Sequence, residues 1–126
     1  MIIPEQSTLG ILGGGQLGQM FTLVARSMGY QVICYEPNAE CPTHGIANEH
    51  ICAPFDDESA LESFAKQCDA ITFEFENIPV ETVEFLEKSC PVHPSSKALS
   101  LAQNRITEKN HLNSIGLATT DYACIE

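Results

Sequence analysis

The chain has 126 residues, of which 44% are hydrophobic and 18% charged, as expected for one ordinary globular domain. Its formal net charge of −11 argues against a nucleic-acid-binding surface, and no apolar run approaches the roughly 20 residues that cross a bilayer. Residues 1–6 lack the basic flank and apolar stretch of an export signal, which predicts a cytoplasmic protein.

The first half of the chain alternates short apolar runs with amphipathic segments. Residues 8–12 have the pattern of a buried strand, which ends at a glycine cluster. A helix with one apolar stripe is predicted next, up to Gly29, from side chains that recur at helical spacing: Leu17, Met20, Phe21, Val24 and Met28. Strands are predicted over 31–35 and 50–53, with a loop and one short helix over 41–48.

The second half continues this alternation. Further helices are predicted where apolar residues recur every three or four positions, over 58–68, 79–88, 96–103 and 105–115. Strands are predicted over 70–75, 91–93 and 122–125. Asp57, Asn77 and either Ser95 or Ser96 are the expected N-caps of three of the helices.

The order of these elements predicts an α/β fold with a doubly wound parallel sheet, followed by a short helical segment. Sheets of this kind bind ligands beyond the carboxyl ends of their strands. The glycine cluster, Glu36 and the segment 74–79 all follow strands at that edge. The chain also stops at Glu126, just after an apolar segment has begun, and we expect it to be a fragment of a longer protein.

The glycine cluster is the strongest functional signal. Gly13, Gly15 and Gly18 match the G-x-G-x-x-G spacing of a strand–turn–helix anion site. Glycine permits the tight turn and lets backbone N–H groups approach a phosphate at the positive end of a helix. Glu36 ends the second predicted strand, 18 residues after Gly18, near the position of the ribose-binding acid in NAD proteins. A dinucleotide-binding domain of an NAD(P) oxidoreductase is therefore one hypothesis.

A second group of polar residues follows the fourth predicted strand. In the strand register, Glu74 and Glu76 are predicted to point to one side of the sheet and Phe75 to the other. Carboxylates at such an edge accept hydrogen bonds from sugar hydroxyls or an amine. The alternative is that they only complement the dipole of the helix that begins near Pro79.

Other candidates for chemistry are weak. The six cysteines include no C-x-x-C pair, so we expect reduced cysteines and no zinc site, and the four histidines have no ligand spacing. No nucleophile–base arrangement of a self-sufficient catalytic site is visible. Arg105 and Lys109 lie four residues apart on one helix face with Glu108, a pattern that by itself is typical of a solvated face.

The charge distribution raises a question about the anion site. Between Glu36 and Glu87 the chain has 13 acidic residues and a single base, Lys66. Either the backbone provides most of the binding of a phosphate, or another domain supplies lysine and arginine.

Three motifs in order resemble the N5-carboxyaminoimidazole ribonucleotide synthetase family, the ATPase subunits of phosphoribosylaminoimidazole carboxylase, which are ATP-grasp enzymes of purine biosynthesis. They are the runs Gly13–Met20 (GGGQLGQM), Glu74–Pro79 (EFENIP), and Ala102–Arg105 (AQNR) with Glu108 and Lys109. The related formate-dependent glycinamide ribonucleotide transformylase is the other family considered. It usually has Glu at the position of Gln16 and lacks the Glu-Phe-Glu-Asn segment, so Gln16 and Asn77 favour the first family.

The resemblance implies a Rossmann-like pre-ATP-grasp domain over residues 1–116, with 117–126 beginning the linker to an ATP-grasp domain. The implied reaction uses ATP, magnesium and bicarbonate to form carboxyphosphate, which carboxylates 5-aminoimidazole ribonucleotide. The family tends to form dimers, so a homodimer is expected of the full-length enzyme. ATP and magnesium would be bound mainly by the other domains, and the fragment alone would not turn over.

The resemblance also implies roles for individual residues. Gly15, Gln16 and Leu17 would contact the substrate phosphate, Glu74 and Glu76 would lie beside the substrate, and Arg105 would reach ATP. No residue of this chain is expected to be catalytic or to bind a metal. Two departures stand out: Asn104 replaces the usual Asp, and residues 117–121 lack the usual prolines.

Overall fold

A computed structural model describes residues 2–123. Its centre is a parallel sheet of four strands, β1 (Thr8–Leu12), β2 (Gln31–Tyr35), β3 (Glu49–Ile51) and β4 (Ala70–Phe73), in the spatial order β3-β2-β1-β4. Leu12 is in register with Tyr35 on one side and with Phe73 on the other. The carboxyl ends of β1, β2 and β4 therefore meet at one edge of the sheet. The predicted fold class is confirmed.

In the described part of the chain, five helices accompany the sheet: α1 (Gln16–Ser27), α2 (Glu58–Gln67), α3 (Val80–Glu87), α4 (Ser96–Ala102) and α5 (Arg105–Ser114). The side chain of Asp57 caps α2 by accepting a hydrogen bond from the Ala60 amide, and Ser95 caps α4 through the Ala98 amide. Both caps were predicted, and the five helices begin and end close to their predicted positions.

The core has two parts because both faces of the sheet are covered. Neighbouring residues of a strand point to opposite faces, so Ile11 joins a small cluster with Ala25, Val32 and Cys34. Leu12 joins the larger cluster on the other face, whose bulkiest buried members include Tyr35, Phe64, Ile71, Ile78 and Leu86. Continuous apolar strands of this kind are typical of a doubly wound parallel sheet.

Most of the apolar stripe of α1 lies outside this core. Gly18, Thr22 and Ala25 are the buried residues of the helix, and Phe21 is half-buried against the Ile11 cluster. The other large apolar side chains of α1 and of Met28, which follows it, are 54–62% exposed (Leu17, Met20, Leu23, Val24 and Met28). Small residues face the sheet because the helix begins directly after β1 and packs closely against it. The exposed large side chains instead form an apolar surface along the outer face of the helix.

Other differences from the prediction are local. Residues 41–48 form successive turns and no helix, and β3 begins one residue earlier than expected. Of the strand predicted over 91–93, a single bridge between Ile71 and Val92 is present. Tyr122 and Ala123 have no strand structure, and residues 124 and 125 of the predicted last strand lie outside the described residues.

Asn77 is not the N-cap of α3, contrary to the prediction. Pro79 occupies that position, and no side chain caps this helix terminus. Proline at the start of a helix costs nothing, because the missing N–H would have had no partner in the helix.

No described helix is long and apolar enough to cross a membrane.

Candidate functional site

The turn between β1 and α1 depends on two glycines for its shape. Gly13 has a φ of +95°, and a Cβ there would lie 2.2 Å from the ring of Phe75. A Cβ on Gly18 would lie 2.4 Å from the carbonyl oxygen of Gly13, which is backbone and has little freedom to move. Gly13 is also tied to the sheet, since its amide donates to the Tyr35 carbonyl over 2.9 Å. These two positions are fixed by the fold itself.

Gly15 differs from both, because its surroundings are open. It is the N-cap of α1 with a φ of −68°, and no atom lies within 4 Å of where its Cβ would be. The helical hydrogen bonds begin with the Gln19 amide, which donates to the Gly15 carbonyl. Within residues 2–123 nothing caps the preceding amides of the first turn. Gln16 and Leu17 are exposed there, so this helix terminus offers free N–H donors to an anion.

Gly14 is held from three sides by the segment that follows β2. Its amide donates to Oε2 of Glu36 over 2.9 Å, and its carbonyl accepts hydrogen bonds from the amide and hydroxyl of Thr43 at 3.0 and 2.9 Å. The Sγ of Cys41 packs so closely that a Cβ on Gly14 would lie 2.4 Å from it. This support for the glycine turn was not predicted, because the turns of residues 41–48 carry no sequence motif.

Both carboxylate oxygens of Glu36 are engaged within the chain. While Oε2 accepts from Gly14, Oε1 accepts from the Asn38 amide over 2.9 Å. A ribose-binding acid needs free oxygens for the sugar hydroxyls, and here they already satisfy backbone amides. The dinucleotide hypothesis rested on Glu36, and this geometry does not favour it.

A pocket of about 370 Å³ opens at the glycine turn, within the usual size range of small-molecule sites. Glu74 and Phe75 line it together with the glycine turn, whereas Glu76 lies outside it. The predicted alternation of these three residues is wrong, because β4 ends at Phe73 and the following segment is irregular. Glu74 and Glu76 are both exposed, so neither pays a burial cost.

The charges around the pocket are acidic. Glu36 and Glu74 are among the residues that line it, and no lysine or arginine of residues 2–123 does so. Backbone amides are therefore the anion-binding groups that the described residues contribute.

The structure does not bring Arg105 into this pocket. Its side chain, 77% exposed, pairs with Glu108 at 2.5 Å on α5. Lys109 donates to the Thr120 hydroxyl over 3.0 Å and lies over the ring of Tyr122.

Asn104 caps α5, accepting hydrogen bonds from the amides of Ile106 and Thr107 at 3.0 and 3.1 Å. Asn and Asp serve about equally well at an N-cap. Asn104, which stands where the family usually has Asp, therefore preserves the N-cap of α5.

Cys34, Cys41 and His50 come together behind the glycine turn, with their candidate ligand atoms within 4.8 Å of one another. Seven and nine residues separate them, so a search for C-x-x-C spacing misses the group. The His50 Nε2 lies 2.9 Å from the Glu36 carbonyl and is engaged there as a donor. Burial, reinforced by Cys41 and Glu36, raises the pKa of the Cys34 thiol to about 12. Because the Cys34 thiol stays protonated and the His50 imidazole donates to a backbone carbonyl, we interpret this group as part of the packing behind the glycine turn.

Comparison with known proteins gives a consistent result. A sequence model of the ribonucleotide synthetase preATP-grasp domain matches residues 6–103. N5-carboxyaminoimidazole ribonucleotide synthase of Brucella melitensis is 43% identical over 120 residues, which are 95% of this chain and 33% of the relative. The corresponding protein of Staphylococcus saprophyticus is 43% identical over 122 residues, with 92% and 32% of the two chains covered. The chain thus spans about a third of the length of these relatives.

Solved structures of similar proteins share the fold. The Staphylococcus aureus N5-carboxyaminoimidazole synthetase, complexed with ADP, is 41% identical with a TM-score of 0.84, covering 90% of this chain and 31% of that one. The Aspergillus clavatus enzyme, in complex with ADP and 5-aminoimidazole ribonucleotide, is 28% identical with a TM-score of 0.71, covering 89% and 30%.

Proposed function

Because the chain belongs to the ribonucleotide synthetase preATP-grasp domain family, we propose that it is the substrate-binding domain of an ATP-dependent ligase of purine biosynthesis. The ligase carboxylates 5-aminoimidazole ribonucleotide with bicarbonate, through carboxyphosphate, to N5-carboxyaminoimidazole ribonucleotide. The names of the relatives support this reaction, and the Aspergillus clavatus structure contains the same nucleotide with ADP.

The observation that carries the proposal is the open helix terminus at Gly15. The ribose 5′-phosphate of the nucleotide is a dianion, and the free amides of Gly15, Gln16 and Leu17 supply donors at the positive end of α1. Glu74 lines the same pocket and is the acceptor we assign to a ribose hydroxyl or the amine. Glu76 lies outside the pocket, so of the two carboxylates Glu74 is the better candidate for a direct contact.

The remaining parts of the site belong to other segments in this proposal. Residues 1–116 form the substrate-binding domain, and 117–126 begin the linker to an ATP-grasp domain that supplies the cations missing from the acidic pocket. That domain provides most of the contacts to ATP and to its magnesium, and Arg105 extends toward ATP from its exposed position on α5. We further propose that the full-length enzyme is a homodimer and that it works in the cytoplasm.

The test is an ADP-release assay on the full-length protein. ADP formation should require 5-aminoimidazole ribonucleotide and should increase with bicarbonate. The 126-residue chain alone should show no bicarbonate-dependent ATP hydrolysis, because the groups that form carboxyphosphate lie outside it. Turnover by this chain alone would contradict the proposed division of labour. The nicotinamide fluorescence of millimolar NADH should be the same with and without the protein. An increase in this fluorescence when the protein is present would favour the oxidoreductase alternative.

A further inference from the structure

Gln103 follows α4 and reaches back to the acidic segment after β4. Its Nε2 donates to the carbonyl of Glu76 over 2.8 Å and to the carbonyl of Ile78 over 2.7 Å. An amide NH₂ group has two hydrogens, and both are used. The side chain therefore bridges two carbonyls of one irregular segment from a residue 25 and 27 positions away in sequence.

The segment 74–78 has few other attachments. Its residues are outside the sheet ladder, and within residues 2–123 no backbone–backbone hydrogen bond involves them. The side chain of Ile78 is fully buried, and the ring of Phe75 packs against Gly13. Gln103 thus provides hydrogen bonds to the backbone of this segment at Glu76 and Ile78, two and four residues after Glu74.

We propose that Gln103 is a positioning residue that fixes the segment 74–78 so that Glu74 faces the substrate pocket. This inference rests on the proposed function, because it gives the two Gln103 hydrogen bonds, here called the tether, a role in binding the nucleotide. The tether should affect binding of the nucleotide and not binding of ATP. Gln103 contacts the segment that contains Glu74, whereas Arg105, two residues later, pairs with Glu108 on α5 and does not line the pocket.

The substitution Gln103→Met tests the tether, because methionine has a similar length but no donor. Its control is Gln67→Met on α2, which removes a hydrogen bond to the Ser63 carbonyl in the same helix. Backbone order parameters of the 126-residue chain, measured by ¹⁵N relaxation, should fall at residues 75–77 from about 0.85 to below about 0.6 in Gln103→Met. They should not change there in Gln67→Met. Unchanged order parameters in Gln103→Met would overturn the inference.

Kinetics of the full-length enzyme supply the functional half of the test. Loss of the two hydrogen bonds should raise KM for 5-aminoimidazole ribonucleotide about tenfold and change KM for ATP less than about twofold. Arg105→Ala should give the reverse pattern. Equal increases in both constants, accompanied by a lower melting temperature, would show a merely structural role and overturn the inference.

The two halves separate the inference from the proposed function. If Gln103→Met loosens the segment but the wild-type enzyme does not carboxylate the nucleotide, the tether is supported and the proposed function is wrong. If the wild-type enzyme is active and the loosened variant keeps both KM values, the proposed function stands and the positioning role is wrong.

Discussion

Replacement of Gly15 by valine should separate ligand binding from folding. Gly15 has a backbone conformation open to any residue, and its Cβ would point into free space. Valine is a poorer N-cap than glycine, so the substitution should cost only about 0.5–1 kcal/mol of stability. The same space is where a phosphate would approach the amides of Gly15, Gln16 and Leu17, so the added methyl groups should hinder binding.

The magnitude follows from the bonds at risk. A hydrogen bond to a charged group contributes about 1.5–3 kcal/mol, so loss of one raises KM for the nucleotide roughly 10- to 150-fold. The assay is steady-state kinetics of the full-length enzyme, with the melting temperature of the 126-residue chain measured in parallel. We expect KM for the nucleotide to rise while the melting temperature falls by no more than about 4 °C.

Gly18→Ala is the matched control, because its Cβ would lie 2.4 Å from the Gly13 carbonyl. Such overpacking costs about 1–3 kcal/mol, which corresponds to a fall in melting temperature of roughly 4–12 °C. An unchanged KM in a well-folded Gly15→Val enzyme would refute the role of these amides in phosphate binding. Equal destabilisation by both substitutions would refute the distinction between the two glycines.

Three further predictions concern the surroundings of the turn. Arg105→Ala should raise KM for ATP roughly tenfold, and more than KM for the nucleotide, through loss of one charge-assisted hydrogen bond of about 1.5 kcal/mol; equal effects on the two constants would contradict its assignment to ATP. Glu36→Gln should lower the free energy of unfolding by about 1–2 kcal/mol in urea titrations, because the new NH₂ group must face one of the amides of Gly14 and Asn38. An unchanged urea midpoint would argue against this support. Burial raises the pKa of the Cys34 and Cys68 thiols from 9.0 to about 12, so the unfolded chain releases these protons first as pH rises. The free energy of unfolding should therefore be fully retained below pH 9 and should fall from pH 9 toward pH 12. Urea unfolding at pH 7.5 and 10.5 measures this fall, which Cys34→Ala should reduce. Equal stability of the unsubstituted chain at both pH values would contradict the prediction.

The predictable part of the fold is the part that local signals determine. Asp57 and Ser95 cap their helices as the sequence indicates, because a cap needs only a short polar side chain before a helical pattern. β1 and β2 have the predicted bounds, since continuous apolar runs between turn residues are typical of buried parallel strands.

The unpredicted part depends on contacts between distant segments. The stripe of α1 is exposed because the close approach of Gly18 to the Gly13 carbonyl sets the rotation of the helix, which periodicity does not encode. For the same reason the sequence does not reveal that Glu36 and Thr43 hold Gly14. It also does not reveal that β4 ends before Glu74, or that Glu74 lines the pocket at the glycine turn whereas Glu76 does not.

The glycine spacing identified the position of the candidate site but not the use of each glycine. Gly13 and Gly18 serve the backbone, and Gly15 leaves room for a ligand. Only the three-dimensional surroundings of each Cα distinguish these roles.

Anion binding by the amides at the start of α1 is measured directly by an NMR titration of the ¹⁵N-labelled chain with 5-aminoimidazole ribonucleotide. The largest amide shifts should appear at Gly15, Gln16 and Leu17, and Gly15→Val should abolish them. Shifts centred elsewhere, or none at millimolar nucleotide, would contradict the account.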